Sequence, residues 1–489
     1  RIPLSPRPLV LPLLTLTAAL ALGEGLPASA PRAVGMSADR LATVDRVVRR
    51  GITAGAYPGA SVVVGRKGYA VWQKGYGRLG WTATSAAVLP DQSIYDLASL
   101  TKVVATTTAA MILYDEGKLD LQAPVQQYLP EFTGEGKERV TIEHLLTHRS
   151  GLPPGRQLWK TARTPAEARQ QVLETRLQQP AGTVYNYSDL GPDILGWVIE
   201  KVSGQSLDAF TEQRIFAPLG MNDTQWRPAG ALRARIAPTE VTPPRGYPVH
   251  GEVADESAFA LGGVAGHAGL FGTATDLSVF AQMMLNGGEY DGTRLVKEET
   301  VRLFTTPVKD HRALGWEVAA GERGAGQFLS KSAYGHVGYT GTSLWIDPER
   351  EMFVILLTNR VHAARARRPG IIIADVRHDL ADAAALAVTD EPLLRQVAWP
   401  RTFRVDQAAD WTRGRPLAKR PVTRARRSPA AATTRSATSS AAPARSTTAS
   451  KAPAKATTGT KSTATKSTKR SPSKSTTAKK PTSTPTKRQ

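Results

Sequence analysis

The chain has 489 residues, of which 41% are hydrophobic and 21% charged, an ordinary composition for a soluble globular protein. The absence of cysteine excludes disulfides, thiolate catalysis and cysteine-ligated zinc. The net charge of +21 lies almost wholly at one end: residues 411–489 hold 20 lysines and arginines and no acidic residue, against 43 basic and 42 acidic residues in the first 410. The high net charge therefore says nothing about a site in the nearly neutral body.

The first thirty residues have the pattern of a targeting segment. Arg1 and Arg7 precede an apolar run over residues 9–22, which is followed by Ala28-Ser29-Ala30. A run of fourteen residues suits the core of a signal peptide and falls short of the roughly 20 that span a bilayer. We predict a signal peptide over residues 1–30, no other membrane-spanning segment, and export to the periplasm, the cell envelope or the extracellular space.

Hydrophobic periodicity predicts the elements that follow. The first half should contain a helix over 37–50 capped by Ser37, strands over 60–64 and 69–72, and a helix over 100–116 ended by Gly117. Residues 121–307 are predicted to be mostly helical with long loops, with helices over 193–202 and 276–285 among them. The body should close with strands over 341–346 and 352–357 and a helix over 371–386.

This order of elements predicts an α+β fold. The N-terminal and C-terminal strands should share one antiparallel sheet flanked by helices, with a mainly helical lobe inserted between them, in a domain covering residues 31–405. Residues 406–489 consist mostly of Ala, Ser, Thr, Pro, Lys and Arg, which cannot bury a core. This tail is predicted to be disordered.

The candidate chemistry begins at Ser99-Leu100-Thr101-Lys102. On a helix, residues i and i+3 share a face, which places an amine beside a hydroxyl. The amine can act as a base only if burial or neighbouring positive charge lowers its pKa. Taken alone, the motif favours an ordinary helix cap at Ser99, and Ser471-Pro472-Ser473-Lys474 in the tail has the same spacing. The motif alone does not establish a catalytic serine.

Two later motifs favour the catalytic interpretation. Tyr185-Asn186-Tyr187-Ser188-Asp189-Leu190 precedes a predicted helix, and His336-Val337-Gly338-Tyr339-Thr340-Gly341 leads into a predicted strand. The order S-x-x-K, Y-x-(N/D), (K/H)-x-G resembles the active-site motifs of the class C β-lactamase and penicillin-binding serine hydrolase family, which includes DD-peptidases and esterases. The resemblance covers roughly residues 35–385 and implies the β-lactamase/DD-peptidase-like fold.

The resemblance also implies roles by position. Ser99 matches the nucleophile and Lys102 the group that accepts its proton, while Tyr187 would carry a proton to the leaving group. His336 occupies the place of the third-motif lysine. Gly338 and Tyr339 continue that motif, and the backbone N–H groups of Ser99 and Tyr339 would bind the oxyanion. The implied reaction needs no metal and no cofactor.

Two positions depart from the β-lactamase pattern. Asp189 stands where asparagine is usual, and a carboxylate only accepts hydrogen bonds, whereas an amide also donates them. Its negative charge would raise the pKa of Lys102, which opposes the role of base. His336 replaces a permanent cation by a group that is mostly neutral at pH 7. If His336 supplies positive charge or a hydrogen bond to Tyr187 or the substrate, kcat/KM should show an ionisation between about pH 5.5 and 7.5. Efficient antibiotic hydrolysis is therefore not the favoured function.

The favoured function is that of an exported serine hydrolase that forms an acyl-enzyme with a small amide or ester substrate. D-alanyl peptides of peptidoglycan are one such substrate. An esterase of small esters or a weak β-lactamase is the alternative within enzymes. An inactive envelope- or polyanion-binding protein is the alternative of another class. His148 and His267 are expected to be hydrogen-bonding loop residues rather than metal ligands.

The basic tail suggests an anionic partner. Export would separate it from the chromosome, and its only aromatic residue is Trp411, so base stacking cannot be its mode of binding. Anionic envelope polymers, such as teichoic acids, lipopolysaccharide phosphates or acidic lipids, are the predicted partners. Nucleic acid is disfavoured, and a solvated tail with no partner is the remaining possibility.

Overall fold

The computed structural model of the protein describes residues 25–319, 325–363, 366, 368–407 and 411. Within these residues the strands are β1 (Gly59–Arg66), β2 (Tyr69–Gly77), β3 (Tyr95–Asp96), β4 (Gln225–Trp226), β5 (Leu270–Gly272), β6 (Glu289–Tyr290), β7 (Thr293–Arg294), β8 (Glu317–Val318), β9 (Tyr334–Val337), β10 (Ser343–Asp347) and β11 (Met352–Thr358).

The α-helices of the same residues are α1 (Ala38–Leu41), α2 (Thr43–Thr53), α3 (Thr108–Asp115), α4 (Val125–Tyr128), α5 (Ile142–Leu146), α6 (Leu158–Thr161), α7 (Pro165–Leu173), α8 (Leu190–Ser203), α9 (Leu207–Thr211), α10 (Glu256–Ala260), α11 (Ala274–Leu285), α12 (Glu298–Thr305), α13 (Pro369–Leu386) and α14 (Pro392–Gln396). Two π-helical turns, Lys102–Thr107 and Glu212–Phe216, extend α-helices of the lobe. No helix of the described ranges combines the length and apolar character needed to cross a bilayer.

The principal sheet has six antiparallel strands in the order β2-β1-β11-β10-β9-β8. The early strand β1 pairs with the late strand β11, with Val62 opposite Leu356. The helices α3 to α12 come between β2 and β8. Of these, α11 packs on the sheet against β1 and β11, and the others make up most of the inserted lobe. The predicted α+β fold, in which terminal strands share one sheet, is confirmed.

Alternating side chains of β1 divide the core between the two faces of this sheet. Val62 and Val64 pack with residues of α2 and α13, whereas Val63 belongs to a larger apolar cluster that includes α11 and much of the lobe. All eight residues of β1 are buried because helices cover both faces. The central strands are thus buried on both faces, and the lobe packs against one of them.

Two predicted helices differ in detail. The helix predicted over 37–50 is divided into α1 and α2, and the Ser37 hydroxyl caps α1 by accepting from Arg40 N at 3.3 Å. The helix predicted over 100–116 is a 3₁₀ turn (Ala98–Leu100), a π turn and then α3. It ends where predicted, with Gly117 in the left-handed conformation at φ 69°. Periodicity alone does not distinguish these helix types.

The folded body extends past the predicted limits of residues 31 and 405. At the N-terminal side, Leu26 is buried and Ser29 N donates to Ala70 O at 3.1 Å. At the other end, Trp411 is buried and its indole N–H donates to Asp375 Oδ2 at 2.7 Å. Residues 1–24 and 412–489, and with them most of the predicted signal peptide and tail, lie outside the described residues.

Candidate active site

Ser99 lies in a tight 3₁₀ turn directly after β3. The preceding residue, Ala98, has a positive φ of 48°, a strained conformation for a residue with a side chain. The Asp96 carboxylate holds the turn by accepting from Ala98 N at 2.8 Å and from Ala254 N at 2.6 Å. Burial raises the pKa of Asp96 to about 6, although these hydrogen bonds lower it. The Asp96 carboxylate thus fixes the backbone of the turn that contains Ser99.

Lys102 follows one turn later, and its buried amine contacts three groups. Its Nζ lies 3.0 Å from Ser99 Oγ, 2.8 Å from Asp189 Oδ1 and 3.1 Å from His267 O. The Ser99 hydroxyl therefore contacts the Lys102 amine. This contact favours a role in the site over the interpretation of Ser99 as an ordinary helix cap.

The charge state of Lys102 reflects two opposing effects. Burial lowers the pKa of the amine, but the negative charge of Asp189 and the neighbouring Tyr187 outweigh burial and raise the pKa above its ordinary value. Lys102 is therefore an ammonium at neutral pH. The sequence-based expectation that Asp189 opposes the role of base agrees with this geometry.

Tyr187 is placed by the loop between α5 and α6. The His148 ring stacks on Tyr187 with centroids 4.4 Å apart, and His148 Nδ1 accepts from Ser188 N at 3.2 Å. Asn186 N donates to His148 O at 2.9 Å. Burial lowers the pKa of His148 well below its usual value, so the ring is neutral. The Tyr187 ring centre lies 5.2 Å from Lys102 Nζ.

His336 lies on β9, buried beside Tyr187, with ring centroids 6.1 Å apart. Its Nδ1 donates to Val337 O at 2.9 Å, and its Nε2 has no hydrogen-bond partner among the described residues. Burial, aided by the charge of Arg312, lowers the pKa of His336 well below its usual value. The expected ionisation between about pH 5.5 and 7.5 is therefore not supported, and His336 offers a neutral acceptor.

Gly338 brings the third motif against the serine turn. A Cβ atom on this residue would lie 2.0 Å from Thr342 Oγ1 and 2.7 Å from Leu97 O, so only glycine fits. Thr342 Oγ1 donates to Leu97 O at 3.0 Å and Thr340 Oγ1 donates to Asp96 O at 2.7 Å. These bonds fasten the end of β9 beside Ser99.

A cleft opens between these motifs. One cavity of about 200 Å³ is lined by Ser99, Tyr187, Asp189, Asp255 and Tyr339, among others. A second cavity of about 300 Å³ shares Tyr187 and Tyr339 with the first and is also lined by His336, Gly338, Arg360 and Arg377. Together with Lys102 beneath the cleft, all seven predicted site residues are brought together. A larger cavity of about 640 Å³, lined by Lys67 and Gln282 among others, contains none of them.

The backbone N–H of Tyr339 donates no hydrogen bond within the described residues. It is therefore free to bind an oxyanion, as the resemblance implied for this residue. The Tyr339 side chain is 61% exposed, and the Arg360 guanidinium lies 4.5 Å from its ring centre. Tyr339 thus contributes its backbone at the cleft floor and its ring at the rim.

The sequence did not identify a buried ion cluster beside Lys102. His267 Nδ1 lies 2.7 Å from Asp193 Oδ1, and His267 Nε2 lies 3.0 Å from Asp255 Oδ1. Burial lowers the pKa of His267, but the two carboxylates raise it well above its usual value, so the ring is an imidazolium. His267 is thus a hydrogen-bonding loop residue, as expected.

Nothing in the spacing of these three residues marks the cluster. Asp193 lies in the first turn of α8, and Asp255 is the N-cap residue of α10. The glycines around His267 were the available signal: a Cβ on Gly266 would lie 1.9 Å from Pro192 O. That close approach brings His267 to the first turn of α8.

A sequence model of the family described as Beta-lactamase matches residues 44–377. The chain belongs to the beta-lactamase family. A member from Escherichia coli K12, provisionally named D-alanyl-D-alanine carboxypeptidase, is 35% identical over 377 residues, covering 69% of this chain and 86% of that protein. The N-acetylmuramyl-L-alanine amidase of Bacillus subtilis 168 is 35% identical over 363 residues, covering 67% and 82%.

Solved structures show the same family fold. The octameric penicillin-binding protein homologue from Pyrococcus abyssi superposes with a TM-score of 0.54 at 23% identity, covering 68% of this chain and 76% of that one. A class C beta-lactamase gives a TM-score of 0.56 at 18% identity, covering 69% and 95%. The family resemblance predicted from the three motifs is thereby confirmed.

Proposed function

We propose that this chain is an exported serine hydrolase that forms an acyl-enzyme on Ser99 and removes the terminal residue of D-alanyl cell-wall peptides. The observation that carries the proposal is the 3.0 Å contact between Ser99 Oγ and Lys102 Nζ at the base of a cleft. The names of the Escherichia coli and Bacillus subtilis relatives support a substrate in peptidoglycan.

The reaction follows from the positions of the groups. Ser99 Oγ attacks the carbonyl carbon while its proton passes to the deprotonated form of Lys102, directly or through Tyr187. The backbone N–H groups of Ser99 and Tyr339 bind the oxyanion. The C–N bond breaks as the leaving amine receives the proton, and water then releases the acyl group from Ser99. Because Lys102 is mostly an ammonium at neutral pH, only a minor fraction of the enzyme is ready to react.

The second cavity suits the leaving D-alanine. Arg360, Arg377 and Glu317 line it. The Glu317 carboxylate pairs with Arg312 at 2.6 Å, and the guanidinium groups of Arg360 and Arg377 supply positive charge for the terminal carboxylate, in place of the cation that His336 lacks. Arg377 also donates to Gly338 O and to Thr342 O, both at 2.7 Å, so it is held against the third motif. His336 Nε2 can accept from the leaving N–H group.

Release of D-alanine tests this function. The purified protein should release D-alanine from a peptide ending in D-Ala-D-Ala and should leave the matched L-Ala-L-Ala peptide intact. A fluorescent penicillin should label the protein. Labelling by a fluorophosphonate with no release of D-alanine would favour the esterase instead. If neither reagent labels the protein, the inactive polyanion-binding alternative gains support.

The esterase of small esters stays as a second candidate because of one observation. The neutral His336 gives the third motif no charge of its own. A neutral ester needs no cation there, since its leaving group carries no carboxylate. The assay above separates the two functions by the leaving group that is released.

The tail is proposed to attach the enzyme to anionic envelope polymers. The 20 positive charges of residues 411–489, with no acidic residue among them, support electrostatic binding. The proposal that the protein is exported makes such polymers the available anions. Because Trp411 packs on the body, a clean deletion begins at residue 412.

Deleting residues 412–489 should abolish binding to anionic cell-wall material and leave turnover of a soluble ester unchanged. The full-length protein should lose its binding by about 0.5 M salt, since salt screens exposed charges. Sedimentation with purified wall fragments measures both effects. Retention that survives either the deletion or the salt would show that the folded body, not the tail, makes the attachment.

A further inference from the structure

Asp96 connects the two backbone segments that carry the proposed oxyanion donors. Its side chain accepts from Ala98 N at 2.8 Å, directly before Ser99. Its backbone carbonyl accepts from Thr340 Oγ1 at 2.7 Å, directly after Tyr339. The backbone N–H groups of Ser99 and Tyr339 donate no hydrogen bond to the backbone of the described residues. Asp96 is thus bonded next to each of these two N–H groups.

The second carboxylate oxygen of Asp96 bonds to a third segment of the cleft. Oδ2 accepts from Ala254 N at 2.6 Å, in the loop that leads into α10. Asp96 is only 2% exposed, so water competes little for these bonds. Both oxygens of the carboxylate are therefore used, and the side chain joins the serine turn (Ala98–Leu100) to the wall of the cleft.

The serine turn needs this support because its first residue is strained. Ala98 has a φ of 48°, and such a conformation persists in a residue with a side chain only where the surroundings enforce it. The peptide between Ala98 and Ser99 carries the Ser99 N–H, so a change in the dihedral angles of Ala98 would turn that N–H in another direction. The bond from Ala98 N to Asp96 Oδ1 opposes this change.

We propose that Asp96 is a positioning residue, which sets the spacing and the direction of the two N–H groups that bind the oxyanion. This inference rests on the proposed acyl-enzyme function and adds the residue that holds its oxyanion site together. In this role Asp96 acts through the backbone of Ser99 and Tyr339 and not through contact with the substrate. Because an oxyanion develops in the transition state, the effect should fall on kcat rather than on KM.

The two side-chain bonds of Asp96 require the ionised carboxylate. Burial raises the pKa of Asp96 to about 6, although its hydrogen bonds lower it; of the nearby charges, Asp255 raises this pKa and Arg245 lowers it. Below that pH one oxygen carries a hydrogen and no longer accepts in the same way. A plot of log kcat against pH should therefore steepen below about pH 6, beyond the slope that Lys102 causes. Strand β5, which pairs with β3, has no ionisable residue. The other ionisable residues that line the Ser99 cavity with Asp96 are Tyr187, Asp189, His267 and Tyr339.

Two substitutions test this role, with an uncharged ester as the substrate. Asp96→Ala removes both acceptors and should lower kcat by about 10- to 100-fold, the effect of a small misplacement at a reacting centre, while KM changes by less than about threefold. Asp96→Asn keeps an acceptor oxygen for Ala98 N and should restore most of the lost kcat. Since the amide does not titrate, the log kcat profile of Asp96→Asn should lack the steeper fall below about pH 6.

Asp276 provides a matched control for a purely structural effect. Burial also raises the pKa of its carboxyl group to about 6, and its Oδ2 accepts from Asp223 N and Thr224 Oγ1, both at 2.9 Å. It lies outside the two cavities of the cleft. Asp276→Ala should lower the thermal stability, as Asp96→Ala does, because buried donors lose their acceptor. Neither Asp276→Ala nor Asp276→Asn should change kcat or the shape of its pH profile.

Thr340→Val tests the same site if Asp96→Ala does not fold. It removes the hydroxyl that donates to Asp96 O, and it should also lower kcat while KM is retained. A loss of kcat in Asp96→Ala no greater than in Asp276→Ala would overturn the positioning role and leave the serine hydrolase standing. The same holds if the profile of Asp96→Asn steepens below about pH 6 as that of wild type does. If wild type neither turns over the ester nor is labelled by a penicillin or a fluorophosphonate, the proposed function fails, and the positioning role with it.

Discussion

Ser99→Ala should lower turnover of any amide or ester substrate by a factor of at least about 10³ and should abolish covalent labelling. The loss follows because Ser99 Oγ is the hydroxyl that contacts Lys102 Nζ, and the substitution leaves the amine with no nucleophile to activate. Intact-protein mass spectrometry after exposure to penicillin or a fluorophosphonate measures the effect directly.

The chain provides a matched control for this substitution. Ser471 begins the second S-x-x-K sequence, in the tail, so Ser471→Ala removes the same atom from the same motif. It should label and turn over like wild type. The fold of Ser99→Ala, checked by thermal unfolding, should be unchanged because the serine lies at a cleft and packs no core. Labelling that persists in Ser99→Ala would remove this residue from the mechanism.

Asp189→Asn should move the alkaline rise of kcat/KM to lower pH. The Asp189 carboxylate, 2.8 Å from the amine, raises the pKa of Lys102 against the effect of burial. Without that negative charge, burial dominates and the pKa of Lys102 falls. A larger fraction of the amine is then neutral at a given pH, so the base-dependent rise in rate begins earlier. A pH profile with an uncharged ester measures the shift.

An exposed ion pair serves as the control for this substitution. Lys74 Nζ and Asp45 Oδ1 are 2.7 Å apart, but the Lys74 side chain is 40% exposed, whereas that of Lys102 is 3% exposed. Asp45→Asn removes the same charge from a pair of similar length, and the pH profile should not change. If the profile of Asp189→Asn also stays in place, Lys102 is not the group whose ionisation limits the rate.

The parts of the fold that depend on local hydrophobic patterns could be predicted from the sequence. The strands β1, β2, β10 and β11 and the helices α11 and α13 were predicted within a few residues, because short apolar runs rich in β-branched residues and bounded by turns mark buried strands, and longer apolar segments mark buried helices. The π turn at Lys102–Thr107 was not predicted, since a single wider turn leaves the apolar pattern almost intact.

The three active-site motifs were predictable because each is a short run with a recognisable order. The residues that support them were not. Asp96 acts through backbone N–H groups, and Asp255 and His267 meet only in the folded chain. The residue type predicted a mostly neutral His336, but the expected ionisation near neutral pH was not supported, since burial lowers the pKa of this residue well below its usual value.

The pairing of β1 with β11 has a consequence for how this protein is made. The central sheet lacks a middle strand until residues 352–358 have left the ribosome, so almost the whole domain must be synthesised before its core can close. Such distant pairing slows folding, because a long loop must be closed before the contacts can form. A chain that folds slowly stays unfolded for longer. For the export proposed above, this delay would help the chain to pass through a channel that accepts only unfolded polypeptide.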